Sequence, residues 1–386
     1  MEFNVFQNNK ALMKVQEENG WKLYKFDDIL IDDTRNAIKI KKELYLEYGQ
    51  YPIIDQGKNE IAGYTNEVEG IYKEEALVFG DHTRIIKYID FPIFLGADGV
   101  KLLKLKSNKE KISIKYLYYF LNTVKLPNDG YSRHFKYLKQ TVIPVPELDI
   151  QMKIVKCMDK ANELIDKRKK QIDILDELVK SQFIEMFGNL KDEEKLPLEK
   201  CTTFIDYRGK TPTLSESGIR IINAKSVGNG FFKYIDEYIS EETYDSWMKR
   251  GFPVAGDVLF VTEGHTFGNV CRIPNDLKKF AMGQRVITMR GKGGLLNNIF
   301  LAQYMQSMAF KIDIDKYKTG SSAQGIRSKE LQKILIPIPN IELQNKFADF
   351  VKQVDKLKFQ MEKSLEELQY NFNSLMQRAF NGELFI

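Results

Sequence analysis

The sequence predicts an α+β protein of two similar domains built from mixed strands and short helices. Each domain is followed by a long helix, and the two helices pair as an antiparallel coiled coil. Three observations carry this. The chain has 386 residues, beyond a single domain of ~100 to 200 residues. VIPVPELDIQ, from Val142 to Gln151, returns as LIPIPNIELQ from Leu335 to Gln344, 193 residues later and half the chain away; such self-similarity marks a repeat architecture. Each copy then continues into about forty residues of helical patterning, and the same offset carries Leu164 onto Leu357, Leu175 onto Leu368, Ser181 onto Ser374 and Phe187 onto Phe380.

Residues 1–20 are expected to form a short helix packed onto the C-terminal end. Residues 21–146 make the first block, where short apolar runs bounded by Gly, Asp and Asn read as strands: YPIIDQG, IAGYTN, ALVFGD, RIIKYID and GVKLLKLK. Ser113 caps a helix in IKYLYYFLNTV, which Pro127-Asn128-Asp129-Gly130 terminates. Residues 147–190 form the first long helix. Residues 191–339 repeat the order, with strands at IRIINA, DVLFVTEG, NVCRI and QRVITM, a helix in NNIFLAQYMQSMAF and a break at TGSSAQG. Residues 340–386 form the second long helix, with an apolar seam at Leu343, Phe347, Phe350, Val354, Leu357, Met361, Leu365, Leu368, Phe372 and Leu375. These spacings alternate four and three with one stutter after Met361, the pattern of a coiled-coil seam. In the first helix the seam holds Ile150, Ile154, Cys157, Ala161, Leu164, Ile172, Leu175 and Val179. A helix of this length spans ~60 Å, and the partner copy within the chain makes an intramolecular antiparallel pair the economical arrangement.

Composition narrows the class further. Hydrophobic residues make up 43% and charged residues 29% of the chain, which describes a globular protein rather than a disordered or fibrous one. The net charge of +5 permits a polyanionic partner without requiring one. Cys157, Cys201 and Cys271 have no Cys-x-x-Cys spacing, which fits a reducing cytoplasm and excludes a cysteine-rich zinc module. The N-terminus carries no signal pattern, and no apolar run reaches the ~18 residues of a membrane span. A cytoplasmic protein without a membrane role is expected.

A catalytic constellation is missing. Gly209-Lys210-Thr211 imitates the end of a phosphate-binding loop, but Phe204 stands where its first glycine belongs. Asp257, Asp276 and Lys278 faintly imitate a nuclease triplet. No adenine-gripping Pro-Pro-Tyr phrase or cofactor glycine motif exists, so no S-adenosylmethionine site is expected here. His82, His134 and His265 lack paired metal spacing. His82 in VFGDHT and His265 in VTEGHT are read as equivalents, with a hydrogen-bonding role near a turn.

The doubled order of divergent block, Ile-Pro-x-Pro...Gln junction and heptad helix, together with the terminal phrase Arg378-Ala379-Phe380-Asn381-Gly382-Glu383-Leu384, resembles the specificity subunit of a Type I restriction-modification enzyme. The resemblance covers nearly the whole chain. It implies that each block is a target recognition domain reading half of a split double-stranded DNA site. It further implies that the helices act as spacer and dock two methyltransferase (M) subunits, with restriction (R) subunits joining through the complex. S-adenosylmethionine, ATP and Mg are then expected on those partners, with no cofactor on this chain and no catalysis by it. A ~60 Å rod would separate the readers by ~15 to 18 base pairs.

Base reading needs paired donors and acceptors on loops, backed by cations on phosphates. Candidates in the first block are Lys58, Asn59, His82, Arg84, Arg133, His134 and Lys136. In the second block they are Arg208, Lys210, Thr211, Lys225, His265, Arg285, Lys318, Ser321, Ser322, Gln324 and Arg327. For any one of them the competing reading is a solvated loop residue. Leu164, Leu175, Leu357 and Leu368 stand for the partner-binding helices. The competing function is a coiled-coil scaffold without DNA recognition; an enzyme with an unrecognised site is a third.

Overall fold

The computed structural model describes residues 6–97, 99–107, 111–130, 132–190, 193–207, 211–320 and 324–385. The chain divides into two units, one of residues 1–169 with 363–386 and one of residues 170–362. Each long helix therefore contributes one part to each unit. Among the described residues, no helix is long and apolar enough to cross a membrane.

In the first unit α1 (Asn9–Glu17) leads into β1 (Lys22–Lys25), the single turn α2 (Phe26–Ile29), β2 (Leu30–Asp32), β3 (Lys39–Ile40), β4 (Tyr51–Ile54), β5 (Gly63–Thr65), β6 (Ala76–Gly80), β7 (Ile86–Ile89), β8 (Phe94–Gly96) and β9 (Val100–Leu105). There follow α3 (Ile114–Thr123), α4 (Phe135–Leu138), β10 (Val142–Val145) and the start of α5 (Leu148–Phe187). An antiparallel sheet has the order β2-β9-β6-β7, a mixed sheet the order β3-β8-β4-β5, and β1 pairs with β10. β6 lies inside its sheet and is buried at every residue. That is why it reads as a continuous apolar run rather than an alternating one.

The second unit opens on the end of α5 and continues through β11 (Lys195–Pro197), α6 (Leu198–Cys201), β12 (Thr202–Asp206), β13 (Ile219–Ile222), β14 (Tyr238–Ile239), α7 (Glu241–Trp247), β15 (Val258–Val261), β16 (Val270–Arg272), β17 (Ala281–Met282) and β18 (Val286–Gly291). It closes with α8 (Asn298–Met305), α9 (Met308–Asp315), α10 (Ser328–Lys333), β19 (Leu335–Pro337) and the first part of α11 (Ile341–Phe380). The sheet β12-β18-β15-β16 repeats β2-β9-β6-β7, and β11 with β19 repeats β1 with β10. In β14-β13-β17 the central strand runs parallel to one neighbour and antiparallel to the other, as β4 does between β8 and β5. The helix expected across residues 297–310 is two helices. Ser307 caps the second, its hydroxyl accepting the Phe310 N–H at 3.3 Å.

The doubled phrase has a physical explanation. Gln151, buried in the first turn of α5, donates to the carbonyls of Pro146 (2.8 Å) and Lys111 (3.1 Å) and accepts the Ser113 N–H (2.9 Å). Gln344 does the same in α11 with Pro339 (2.7 Å), Leu295 (3.1 Å) and the Asn297 N–H (2.9 Å). Each glutamine ties the start of a long helix to the N-cap residue of an earlier helix in its block, α3 or α8. Pro144 and Pro337 sit in two-stranded ladders, where a missing N–H is tolerated.

The other end of each helix plugs into the other unit. Phe187 meets Phe300 of α8 at 4.8 Å between ring centroids, and Phe380 meets Tyr116 of α3 at 5.4 Å. In the first unit the start of α5 and the end of α11 share one core, with Ile154, Met158 and Phe380. In the second, Phe183 and Phe187 of α5 pack on Phe347 of α11. The pairing is thus antiparallel. α1 lies on the end of α11, Asn19 donating to the Gly382 carbonyl at 3.0 Å and Val15 entering the same core as Phe380.

The seam itself differs from the sequence expectation at Leu164, Leu357 and Phe350, the last giving way to the buried Val351. Leu164 and Leu357 are 53% and 42% exposed, while Ile165 is buried and Lys358 takes the α11 seam position. The spacings through Phe347, Val351, Val354, Lys358, Met361, Leu365, Leu368 and Phe372 then alternate four and three without a stutter. By hydrophobicity Leu357 is the expected seam residue over its lysine neighbour. Yet a lysine stem can lie on apolar surface while its head finds a partner, and Lys358 Nζ lies 2.6 Å from both carboxylate oxygens of Asp176 on α5. Leu175 is buried and Leu368 partly so.

Candidate nucleic-acid interface

Several loops of the first unit converge at one end of the antiparallel sheet. Asp81, just past β6, donates its N–H to the Gly99 carbonyl (2.7 Å) and accepts the N–H groups of His134 (2.9 Å) and Phe135 (2.7 Å). Thr83 donates its hydroxyl to the Gln56 carbonyl (2.6 Å), and His82 Nδ1 lies 3.2 Å from the Ser132 carbonyl. The 55–62 loop carries the exposed Lys58 and Asn59; Arg133 and Lys136 are exposed beside it in the chain segment around α4.

Lys87 anchors that loop from inside. Its side chain is 7% exposed, and Nζ donates to the carbonyls of Asp55 (2.9 Å), Asn59 (2.5 Å) and Glu60 (3.4 Å). Burial pulls its ammonium below the usual lysine range, with Asp55 opposing. No pattern in the sequence distinguishes Lys87 from a surface lysine in RIIKYID, because its loop partners are carbonyls, which any sequence supplies.

The second unit builds the same surface from different residues. Thr262 donates its N–H to the Arg285 carbonyl (2.9 Å), Gly264 to Gln324 (3.0 Å) and Ile326 to Thr262 (2.9 Å). They enclose a cavity of about 290 Å³ lined by Glu263, Arg285, Thr319, Gly325 and Arg327. Arg285 Nε forms an ion pair with Glu263 at 3.2 Å, both side chains more than half exposed, so the pair adds at most ~1 kcal/mol.

The ladders fix which residues correspond. Gly80 pairs with Val100 at the end of β6, as Val261 pairs with Val286 at the end of β15. Asp81 then matches Thr262, His82 matches Glu263 and Gly99 matches Arg285, and the Asp81-to-Gly99 hydrogen bond recurs as Thr262 to Arg285. His82 and His265 are therefore not equivalents. The shared letters of VFGDHT and VTEGHT misalign because the loop after β15 is longer, and His265 sits two places further along it.

The match of Gly99 with Arg285 exposes a backbone oddity. Gly99 has φ +66 and Arg285 has φ 64. Outside glycine, only Arg84 (φ 63) and Phe385 (φ 62) share this left-handed region among the described residues. For a residue with a Cβ it costs ~1 to 2 kcal/mol, and such strain gathers at functional sites. Arg84 stands in the loop after β6, its N–H held by the Gly80 carbonyl at 2.7 Å.

Other candidates fare differently. His134 is buried at 1% exposure, with Nδ1 3.0 Å from the Asp81 carbonyl, so it fixes the loop rather than presenting a surface donor. Lys225 pairs with Glu237 at 2.5 Å and Lys318 with Asp315 at 2.9 Å. Thr211, His265, Gln324 and Arg327 are exposed; Arg208, Lys210, Ser321 and Ser322 lie outside the described residues. The nuclease-like triplet is not assembled, for Asp257 is held bidentately by Arg290 (2.7 Å twice) and Asp276 accepts from the Tyr234 hydroxyl (2.7 Å).

Comparisons with known proteins agree with this layout. Residues 18–175 and 204–369 match the family described as Type I restriction modification DNA specificity domain. The chain is 27% identical to the Type I restriction enzyme EcoR124I/EcoR124II specificity subunit of Escherichia coli, over 84% of this chain and 83% of that one. It is 22% identical to the MjaVIII specificity subunit of Methanocaldococcus jannaschii, over 100% of this chain and 97% of its relative. The fold is shared with the crystal structure of the Type-I restriction-modification system S subunit from M. genitalium, with a TM-score of 0.53 at 17% identity over 95% of this chain and 98% of that one. Two matched segments, two copies of one sheet topology and two paired long helices agree: the chain belongs to the Type I restriction-modification specificity subunit family, with two target recognition domains.

Proposed function

We propose that this chain is the sequence-specific DNA-recognition and scaffold subunit of a Type I restriction-modification complex. Each recognition domain reads one half of a bipartite double-stranded site. α5 and α11 set the spacing between the halves and dock two methyltransferase subunits, through which restriction subunits join. S-adenosylmethionine, ATP and Mg belong to those partners, and the complex works in the cytoplasm.

The observation that carries this reading is the pairing of a constant frame with variable rims. Gln151 and Gln344 make identical bonds, while His82 and Gly99 give way to Glu263 and Arg285 at matching rim positions. A frame repeated with divergent polar loops is what two readers of different half-sites require.

The test is methylome sequencing of cells carrying this chain with its methyltransferase partner, before and after residues 196–339 are exchanged for the matching block of a relative. One half of the methylated motif should change and the other should persist. A change in both halves together would refute modular reading. A seven-residue insertion in α5 and α11 adds ~10 Å and keeps the heptad, so it should widen the unread gap by ~3 base pairs. A scaffold without DNA recognition would give no motif and no steep fall of affinity with salt.

A further inference from the structure

We infer that Arg84 and Arg285 are the guanine-reading residues of the two recognition domains, each held in a left-handed backbone so that its guanidinium meets a base edge. The inference rests on the DNA-reading function proposed above and names the residues that decide specificity.

Non-glycine residues avoid this conformation, yet among the described residues the two exceptions inside the chain are both arginines, one in each unit and both on the loops that converge beyond the antiparallel sheet. Arg285 stands where the sister unit uses Gly99 at nearly the same φ, so the fold needs the backbone shape and not the side chain. The arginine is present for something outside the fold.

The chemistry favours a base over a phosphate. Glu263 lies 3.2 Å from Arg285 Nε, on one edge of the planar group, and leaves the N–H groups of its two terminal nitrogens as a paired donor. That pair matches the O6 and N7 acceptors of guanine. A glutamate beside it would repel a phosphate, whereas a neutral base edge tolerates it. The adjoining cavity is edged by Thr319 and Arg327 and by Gly264, where an added Cβ would stand 3.7 Å from an Arg285 terminal nitrogen. Arg84 makes no side-chain hydrogen bond or ion pair among the described residues, beside a His82 held by the Ser132 carbonyl. The two arginines lie on different loops, one after β6 and one before β18, so each reads a different place in its half-site.

The test is methylation by the full chain with its methyltransferase subunits, read as the methylated motif and as rates on DNA substituted one base pair at a time. Arg285→Gly keeps the backbone shape that Gly99 shows to be stable, and Arg285→Lys keeps the charge without the fork. Both should relax one G·C position in the half-site read by the second domain, cutting discrimination there by roughly 5- to 150-fold, with the other half intact. Arg84→Gly should relax one position in the opposite half. An unchanged motif, full discrimination in Arg285→Lys, or a uniform loss across sequences with a smaller salt slope would overturn the proposal, the last marking a phosphate contact. A wild-type motif without two halves would overturn the DNA-reading function beneath it, and this proposal with it.

Discussion

The two recognition units use the same strand order but secure their rims by different means. In the first, the ladder pairs Phe79 with Ile86, so Lys87 follows and holds the 55–60 loop through three carbonyls. In the second, Phe260 pairs with Val270, and the matching residue is Cys271, buried at 2% exposure with its thiol pushed up by burial to about 12. The second unit ties the corresponding loop at its ends instead, through Asn223 to Glu237 (2.6 Å) and Lys225 to Glu237 (2.5 Å). The frame tolerates either solution because the loop needs only its backbone fixed. Its outward side chains stay free to differ.

The comparison predicts where the units should respond alike and where they should not. The largest effect is expected at Phe347, fully buried against Phe183 and Phe187. Phe347→Ala should destabilise the second unit by about 3–5 kcal/mol. Ile154→Ala, at the matching place in α5, should cost the first unit about 2–5 kcal/mol, with less aromatic packing lost. Denaturant unfolding followed by amide exchange would assign each loss to its unit, and exchange rising equally in both units would break the argument.

Next come the paired glutamines. Gln151→Leu and Gln344→Leu each leave a part-buried N–H, a part-buried carbonyl and a buried carbonyl without their partner, costing about 1–3 kcal/mol apiece. Because the bonds are the same in both units, the two losses should agree to within about 0.5 kcal/mol; a clear inequality would mean that the frames are not equivalent.

Lys87→Met keeps the stem and removes the donor, and should cost about 1.5–3 kcal/mol as charged hydrogen bonds are lost. Exchange should rise over residues 55–60, and only the half-site of the first domain should lose fidelity. Cys271→Ala should leave the second half-site unchanged. If Lys87→Met altered both halves, the anchor would not be local.

The smallest effects are expected at Leu357 and Leu164. Both are substantially exposed, so Leu357→Lys and Leu164→Lys should shift stability by no more than about 0.5 kcal/mol. Leu175→Lys would bury an unpaired charge and cost several kcal/mol. Equal losses at Leu357 and Leu175, measured by thermal unfolding, would restore the stuttered seam.

The sequence by itself determined the repeat, the long helices and the main sheet strands. Val142–Gln151 and Leu335–Gln344 are alike because each must supply one strand, one helix start and one buried glutamine, and local patterning is enough to expose that. β4, β6, β9, β13, β15 and β18 were legible as apolar runs because they are buried where they stand. Only the tertiary structure decided β3, β14 and β17, two residues each, since strands so short exist through their neighbours. It also placed Lys358 in the seam, because Asp176 lies on another helix 182 residues away. It separated His82 from His265 and matched Gly99 with Arg285, for loop register follows the ladders that the loops join and not the letters they contain. Side chains on such loops touch few neighbours within the chain, so neither spacing nor hydrophobicity marks them; the left-handed backbone of Arg84 and Arg285 becomes visible only once the sheet beneath has fixed where each loop begins.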